Sequence, residues 1–148
     1  MSLATDSIFI EALKADTALM TAIGSRLYGT AIPLPDEDLD NVPCPYVIVT
    51  FDGLSNQTGT KDDLYEGTED MVNIGVEVTG RTLDELHAMT EKVRSTILSY
   101  MRGNDTPVME YTFTADAIQF DSMKPCYWQV LHYQCDVYNS QNDEQDEE

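Results

Sequence analysis

Two histidines and three cysteines are among the few residues of this chain whose chemical types could support catalysis or metal binding. His87 and Glu91 are four residues apart, a spacing that places both side chains on one face of a helix. There they could share a metal ion or a proton. Two ligands do not make a metal site, however, and the sequence offers no obvious third. A solvated helix face is therefore the favoured interpretation.

The second histidine, His132, lies between two cysteines, Cys126 and Cys135. A cysteine beside a histidine is the arrangement that activates a thiol nucleophile. If this segment is a strand, its alternating side chains put His132 and Cys135 on opposite faces. Cysteine is also a common small buried residue. The pattern therefore does not predict a catalytic pair.

The acidic stretch Asp36, Asp38 and Asp40 imitates the first ligands of a calcium-binding loop. Such a loop requires glycine at its sixth position and glutamate at its twelfth, where this chain has Asn41 and Val47. The motif therefore fails, and only a loose surface ion site is left open.

The remaining carboxylate pairs, Asp62–Asp63 and Glu69–Asp70, flank a polar segment, where carboxylates are usually solvated. No phosphate-binding loop, dinucleotide fingerprint, nucleophile elbow or zinc-protease motif occurs. We therefore expect no catalytic residue, no metal and no cofactor, and a protein that is not an enzyme.

Charge is a further strong signal. The chain has 27 acidic residues against 8 basic ones, a formal net charge of −19, and five of the acids lie in the last ten residues. Such a surface repels nucleic-acid phosphate. Three explanations remain open: solubility, a surface that faces DNA without holding it, or a mimic of DNA that occupies a basic site on another protein.

Length and composition fit one domain at residues 1–138, followed by an acidic, disordered tail at 139–148. No apolar run approaches the roughly 20 residues of a membrane span. Three cysteines without a pairing pattern suggest a reduced, intracellular history. We expect a soluble protein.

Hydrophobic periodicity predicts the order helix, strand, strand, helix, strands, strand. This order argues for an α+β fold: a mostly antiparallel sheet with helices on one face. The first predicted elements are a helix from about Ser7 to Lys14, a short second helix capped by Asp16 and ended by Gly24, and an extended piece Arg26–Tyr28. The predicted strands are Tyr46–Asp52, Glu69–Thr79, Val108–Ala115, Ala117–Ser122 and a closing strand Tyr127–Tyr138.

A long helix is predicted from the capping box at Thr82 to Met101. Its apolar positions are Leu83, Leu86, Thr90, Val93, Ile97 and Met101.

The segment Gly53–Gly67 reads as a long polar loop, and loops of this length are usually functional or disordered. It contains a few apolar residues, which either tuck back onto the sheet or meet a neighbouring subunit on assembly. Trp128 is likewise either a core residue or an interface anchor. The candidate interface residues are Leu54, Asp62, Asp63, Leu64 and Tyr65.

Several short segments together resemble the tail-terminator, or tail-completion, proteins of long-tailed bacteriophages and prophages. The resemblance covers roughly Ile8 to Tyr138 and depends on order and spacing more than on single residues. Its pieces are the opening helix Ile8–Ala15, the restart Asp16-Thr17-Ala18-Leu19, Gly24-Ser25-Arg26-Leu27-Tyr28, Pro45-Tyr46-Val47-Ile48, the strand Val72–Val78, the helix Leu83–Met101 and the strand Trp128–Tyr138. The acidic loop Asp36–Asp40 and the acidic tail depart from the family.

The resemblance implies a structural protein that caps the growing tail tube as a hexameric ring. Its partners would be copies of itself, the tube protein and the head-side connector, and DNA would pass through without specific binding. It would reside in the tail or neck of the virion, and in the host cytoplasm during assembly. The alternative from another class is a small acidic inhibitor or adaptor, including a DNA mimic.

Overall fold

In the part of the chain that the structure describes, six strands form one sheet, and three α-helices cover one of its faces. The computed structural model describes residues 2–29, 44–56, 68–122 and 126–139. A 3₁₀ turn, Ser2–Ala4, leads into the first helix. The elements are α1 (Thr5–Lys14), α2 (Thr17–Ala22), β1 (Leu27–Gly29), β2 (Val47–Asn56), β3 (Thr68–Gly80), α3 (Leu83–Gly103), β4 (Val108–Ala115), β5 (Gln119–Asp121) and β6 (Cys126–Asn139).

The strands lie in the order β1-β2-β3-β6-β4, and β5 pairs with β6 beside the start of that strand. β1 and β2 are parallel, whereas every other pairing is antiparallel. The predicted α+β class is thereby confirmed. β3 and β6 form the centre of the sheet and pair over thirteen residues, from Thr68–Asn139 to Gly80–Tyr127.

The core lies between the sheet and the helices. Alternate residues of β3 and β6 face inward, as their two-residue periodicity predicts. Tyr133 stands at the centre of an aromatic group, with its ring centroid 5.1 Å from Phe9, 5.2 Å from Tyr111 and 5.3 Å from Phe113. Edge-to-face arrangements of this kind stabilise aromatic clusters. The fully buried strand residues on this face are Val47, Val49, Val72, Ile74, Val76, Val78, Leu131, Tyr133, Cys135 and Val137.

The first two helices are separate elements. The Asp16 carboxylate accepts a hydrogen bond from the Leu19 amide at 3.1 Å and caps α2. Beyond α2, Gly24 adopts a left-handed conformation with φ +58°, as predicted for the residue that ends this helix. The sequence left open whether one kinked helix or two short helices occupy this segment, and the cap at Asp16 decides for two.

The predicted start of α1 at Ser7 is wrong by two residues. The helix begins at Thr5, and its N-cap, Ala4, makes no side-chain hydrogen bond. Thr5 and Asp6, which have the chemistry of capping residues, are buried inside the first turn. The 3₁₀ turn that precedes α1 supplies the helical entry that a side-chain cap would otherwise provide.

The third helix begins at the predicted cap, where Thr82 accepts a hydrogen bond from the Glu85 amide at 3.1 Å. Glu85 in turn accepts one from the Arg81 amide at 3.0 Å. Leu83, predicted to open the apolar stripe, is instead 42% exposed. The helix reaches the sheet only from Leu86 onward, and its buried residues are Leu86, Met89, Val93 and Ile97.

The predicted loop Gly53–Gly67 begins too early. β2 continues through Asn56, and β3 starts at Thr68. A shift in register between Phe51 and Gly53 marks a β-bulge, with Gly53 at φ +141°. The bulge interrupts the alternation that a strand prediction relies on, which is why the sequence reads as loop here. Residues 57–67 lie outside the described part.

The remaining predictions agree with the structure within one or two residues. The second short strand spans Gln119–Asp121 rather than Ala117–Ser122, and the closing strand begins at Cys126 rather than Tyr127. None of the described helices is both long enough and apolar enough to span a membrane.

Candidate assembly surfaces

The residues that the sequence singled out for metal or proton chemistry are not brought together. His87 and Glu91 both lie on the exposed side of α3. Within the described ranges, no group of three or more histidine, cysteine or acidic side chains is placed to hold a metal ion. The acidic stretch Asp36, Asp38 and Asp40 lies outside those ranges.

His132 has an acidic neighbour that the sequence did not suggest. Its Nε2 lies 2.8 Å from Oδ2 of Asp116, and the two side chains are 43% and 58% exposed. His132 lines an open cavity of about 420 Å³ on the sheet face opposite the helices. Asp116 is the only side chain in the described residues that is hydrogen-bonded to His132.

The three thiols occupy two different places. Sγ of Cys44 and Sγ of Cys126 are 2.8 Å apart, although 82 residues separate them in sequence. Cys135 lies in the core on the other side of the sheet from His132, as strand alternation predicted. Burial raises the pKa of the Cys135 thiol to about 12. Cys135 is therefore a packing residue with almost no thiolate character.

The sheet is strongly asymmetric in charge. The six described strands contain no lysine or arginine. They contain acidic residues in five of the six strands: Asp52, Glu69, Asp70, Glu77, Glu110, Asp121 and Asp136. Asp70 is buried on the inner face, whereas Asp52, Glu77 and Asp136 lie on the outer face, which points away from the helices. The outer face therefore presents carboxylates with no lysine or arginine on the described strands to neutralise them.

Glu77 lies at the centre of this outer face. It pairs across the ladder with Ile48 on one side and Val130 on the other. It is half-buried, and the loss of water around it raises the pKa of its carboxyl group. Beside it, Tyr46 and Ile48 form a small apolar cluster against which Tyr28 packs. The Glu77 carboxyl group is thus packed among apolar side chains, and the sheet face is only partly exposed to solvent at this point.

The described cations lie mainly on the helical side. Lys92 Nζ is 3.3 Å from Asp16 Oδ2, and Arg81 pairs with Glu85 at 3.0 Å. Arg94 lies over the ring of Phe113, 4.4 Å from its centroid. An open groove of about 470 Å³ between α1, α2 and α3 surrounds Asp16. The two sides of the molecule therefore differ in both shape and charge.

Of the predicted interface residues, only Leu54 falls in the described part. It lies on β2, not on a loop, pairs with Val72 across the ladder, and is 36% exposed. Asp62, Asp63, Leu64 and Tyr65 lie outside the described residues and stay predictions. Trp128 pairs with Thr79 in the ladder and is half-buried, so it is neither a core residue nor fully exposed.

Two of the exposed apolar residues that the sequence did not anticipate lie on β4 and β5. Met109, beside a register shift at the start of β4, is 51% exposed, and Phe120 on β5 is 52% exposed. A bulge that displaces a residue from the alternating pattern hides its orientation from periodicity. The signal that could have found them is the position of both residues at the margin of the sheet.

The fold is similar to that of a virion component. No family model matches the sequence, and no curated protein matches it. A chain in the virion of a native gene transfer agent particle superimposes with a TM-score of 0.60 at 12% identity, covering 90% of this chain and 94% of that one. The gp17 protein of bacteriophage SPP1 gives a TM-score of 0.47 at 16% identity, covering 94% and 92%. The first similarity confirms the predicted resemblance at the level of the fold.

Proposed function

We propose that this chain is a structural protein of a phage-like tail, which assembles as a ring that closes the end of the tail tube and joins it to the head-side connector. The observation that carries the proposal is the fold shared with a gene transfer agent virion chain over nine-tenths of its length. Fold alone does not assign function. The surface of the subunit supplies the further support.

The first support is the difference between the two sides of the subunit. In a closed ring of identical copies, each subunit turns one side toward the passage and the other side outward. The outer sheet face has carboxylates and no cations on its strands, whereas Lys92 and Arg94 lie on α3. A subunit whose two sides differ in charge fits the two different surroundings that a ring provides.

The second support is the sign of the charge. A net charge of −19 repels phosphate, so DNA passing through a ring of these subunits would not be held by its wall. The described strands carry no side chain of the type that binds phosphate through ion pairs. The acidic sheet face is our candidate for the surface that faces the passage.

The test is to mix the purified chain with the tube subunit from the same genome and to image the tubes by negative-stain electron microscopy. We expect tubes of limited length with an added ring of density at one end. Tube subunit alone is the control and should give longer tubes with bare ends. Tubes of unchanged length and bare ends in the presence of the chain would overturn the proposal.

The alternative is an acidic adaptor that occupies a basic site on another protein in place of DNA. The charge distribution on the outer sheet face favours it, because carboxylates without neighbouring cations resemble the sign of a phosphate backbone. In that case the chain would act as a monomer or dimer and compete with duplex DNA for a basic partner. A fluorescent-DNA displacement assay against the DNA-packaging and connector proteins of the same genome distinguishes the two.

A further inference from the structure

Among the described strands, β4 has neighbours on one side only. The Asp116 amide donates to the Val130 carbonyl at 3.0 Å, directly after β4 ends. In an antiparallel pair, residues alternate between bonding the neighbouring strand and pointing away from it. Because the register is continuous from Glu110 to Ala115, the backbone groups of Tyr111, Phe113 and Ala115 point away from β6. Among the described strands, none lies on that side.

A second open stretch lies at the opposite margin of the sheet. β1 covers only Val47–Val49 of β2, which continues to Asn56. The Val47 amide donates toward β1, to the Arg26 carbonyl at 3.0 Å. By alternation, the backbone N–H and C=O groups of Phe51 point to that side. The extra residue of the bulge shifts the alternation by one, so the backbone groups of Leu54 point to the same side. No described strand pairs with β2 there.

The two open stretches match in direction. Each neighbouring pair along β2, β3, β6 and β4 is antiparallel, so β4 runs opposite to β2. Rotation about an axis along the strands preserves strand direction, so β4 of one copy meets β2 of the next in antiparallel orientation. If the two strands met in parallel orientation, their backbone hydrogen bonds would be slanted and would not continue the antiparallel ladder of the sheet.

The side chains at the two margins also match. Leu54 on β2 is 36% exposed, and Met109 on β4 is 51% exposed. Neither margin has a lysine or a proline among residues 50–56 or 108–115, two of the devices that prevent strand addition at a sheet edge. Each margin has a register shift, at Phe51/Gly53 and at Val108/Glu110, and the stretches Leu54–Asn56 and Glu110–Ala115 are regular beyond it. Joining the margins would bury apolar area at each and satisfy the outward backbone groups.

We propose that the open side of β4 in one copy pairs with the open part of β2, Thr50–Asn56, in the next copy, so that the sheet continues from subunit to subunit. The inference rests on the proposed ring and names the contact that forms it. The outer sheet faces of all copies then form one continuous acidic surface. Leu54 becomes an interface residue through its position on the strand margin.

One variant at each margin tests the pairing. Ala115→Pro removes an amide that points away from β6, and Leu54→Pro removes one that points away from β3. Each variant keeps one intact margin. We expect neither variant alone to form rings. An equimolar mixture should form a dimer of one copy of each, because the intact β2 margin of the Ala115→Pro copy can pair only with the intact β4 margin of the Leu54→Pro copy. Ala117→Pro, outside β4, is the control and should form rings. Native mass spectrometry reads the copy number.

Hydrogen exchange on the wild-type chain tests the same pairing without a substitution. In the monomer, the amides of Phe113 and Ala115 should exchange rapidly, whereas those of Thr112 and Thr114 should be protected by β6. In the ring, hydrogen exchange of the Phe113 and Ala115 amides should become at least tenfold slower. This measurement decides the question if either proline variant fails to fold, as judged by circular dichroism.

The outcomes separate this inference from the function beneath it. If the wild-type chain neither forms rings nor caps tubes, both the proposed function and the proposed pairing of β4 with β2 are overturned. If rings form but the Phe113 and Ala115 amides exchange as in the monomer, the sheet-edge contact is wrong and the function stands. Rings formed by both folded proline variants lead to the same conclusion. Loss of rings, heterodimer formation in the mixture and slowed exchange support the contact.

Discussion

Asp16 and Thr96 are joined by a hydrogen bond across 80 residues of sequence, in which the Thr96 hydroxyl donates to Oδ2 of Asp16 at 2.6 Å. The other carboxylate oxygen, Oδ1, caps α2 through the Leu19 amide. Lys92 lies 3.3 Å from the same Oδ2. A single carboxylate therefore starts α2 and fastens it to α3.

Replacement of Asp16 by alanine should lower the free energy of unfolding by about 1–2 kcal/mol, because a helix cap and a tertiary hydrogen bond are lost together. Chemical denaturation at pH 7 measures the change. Asp105→Ala, at an exposed position after α3, is the matched control and should leave stability within about 0.5 kcal/mol. Equal losses in the two variants would contradict the role of Asp16.

The same carboxylate predicts a dependence on pH. The hydrogen bond from Thr96, together with the Leu19 amide and Lys92, lowers the pKa of Asp16 below its usual 3.8. Because the folded-state pKa is depressed, this stabilisation is present above about pH 4 and is lost as the pH falls through the folded-state value. The stability difference between wild type and Asp16→Ala should therefore shrink between pH 5 and the strongly acidic range. A stability difference that does not change with pH would show that the charge of Asp16 does not contribute to the stability of the fold.

Two glycines should respond in opposite ways to alanine. A β-carbon at Gly80 would lie 2.5 Å from the backbone nitrogen of Leu86, which cannot move without shifting α3. We expect Gly80→Ala to destabilise the protein by about 1–3 kcal/mol. A β-carbon at Gly103 would meet no atom within 4 Å. Gly103→Ala should be neutral or slightly stabilising, because it reduces the freedom of the unfolded chain. Thermal unfolding distinguishes the two; a destabilised Gly103→Ala would be inconsistent with that open space.

The cysteines should differ in reactivity. With its pKa raised to about 12, Cys135 has roughly one thiolate in 10⁴ at pH 8, and it is fully buried. We expect iodoacetamide to label Cys44, which is half-exposed, and to spare Cys135 in the folded protein. Peptide mapping after brief labelling measures both sites. Labelling in 6 M guanidinium is the control, in which all three cysteines should react; rapid native labelling of Cys135 would mean that the core is open there.

Two leucines with the same exposure offer a matched test of the assembly surface. Leu54 on β2 and Leu98 on α3 are each 36% exposed. Leu54→Ser should reduce ring formation at least tenfold, because it removes apolar area from the proposed contact, whereas Leu98→Ser should leave it unchanged. Sedimentation velocity of both variants and wild type measures the effect. If Leu98→Ser is the variant that loses assembly, the contact lies on the helical side instead.

Self-association should strengthen as salt is added. Copies with a net charge of −19 repel one another, and the Debye length falls from about 10 Å at 0.1 M to about 3 Å at 1 M ionic strength. We expect the assembled fraction to rise over this range in sodium chloride. An uncharged osmolyte at the same osmolality is the control. Dissociation by salt would indicate that ion pairs between the acidic sheet face and the cations of α3 dominate the contact.

Local patterns in the sequence predicted most of the fold. Hydrophobic alternation located β3 and β6, and the cap at Thr82 located the start of α3, because each signal arises from neighbours along the chain. The α+β class followed from the order of these elements. The errors fall where a local rule is broken: at the 3₁₀ entry to α1, and at the bulge near Gly53 that made a strand resemble a loop.

The sequence by itself determined most of the secondary structure, the alternation of side chains along β3 and β6, the acidic character and the absence of known catalytic motifs, since these depend on residue types and short spacings. Only the tertiary structure decided which margins of the sheet have no described neighbouring strand, that Leu54 lies on one of them, and that Asp116 is hydrogen-bonded to His132. Those relationships join residues far apart in the chain. Contacts of that kind depend on how the strands are ordered, and strand order is fixed by burial of the whole core rather than by any local pattern.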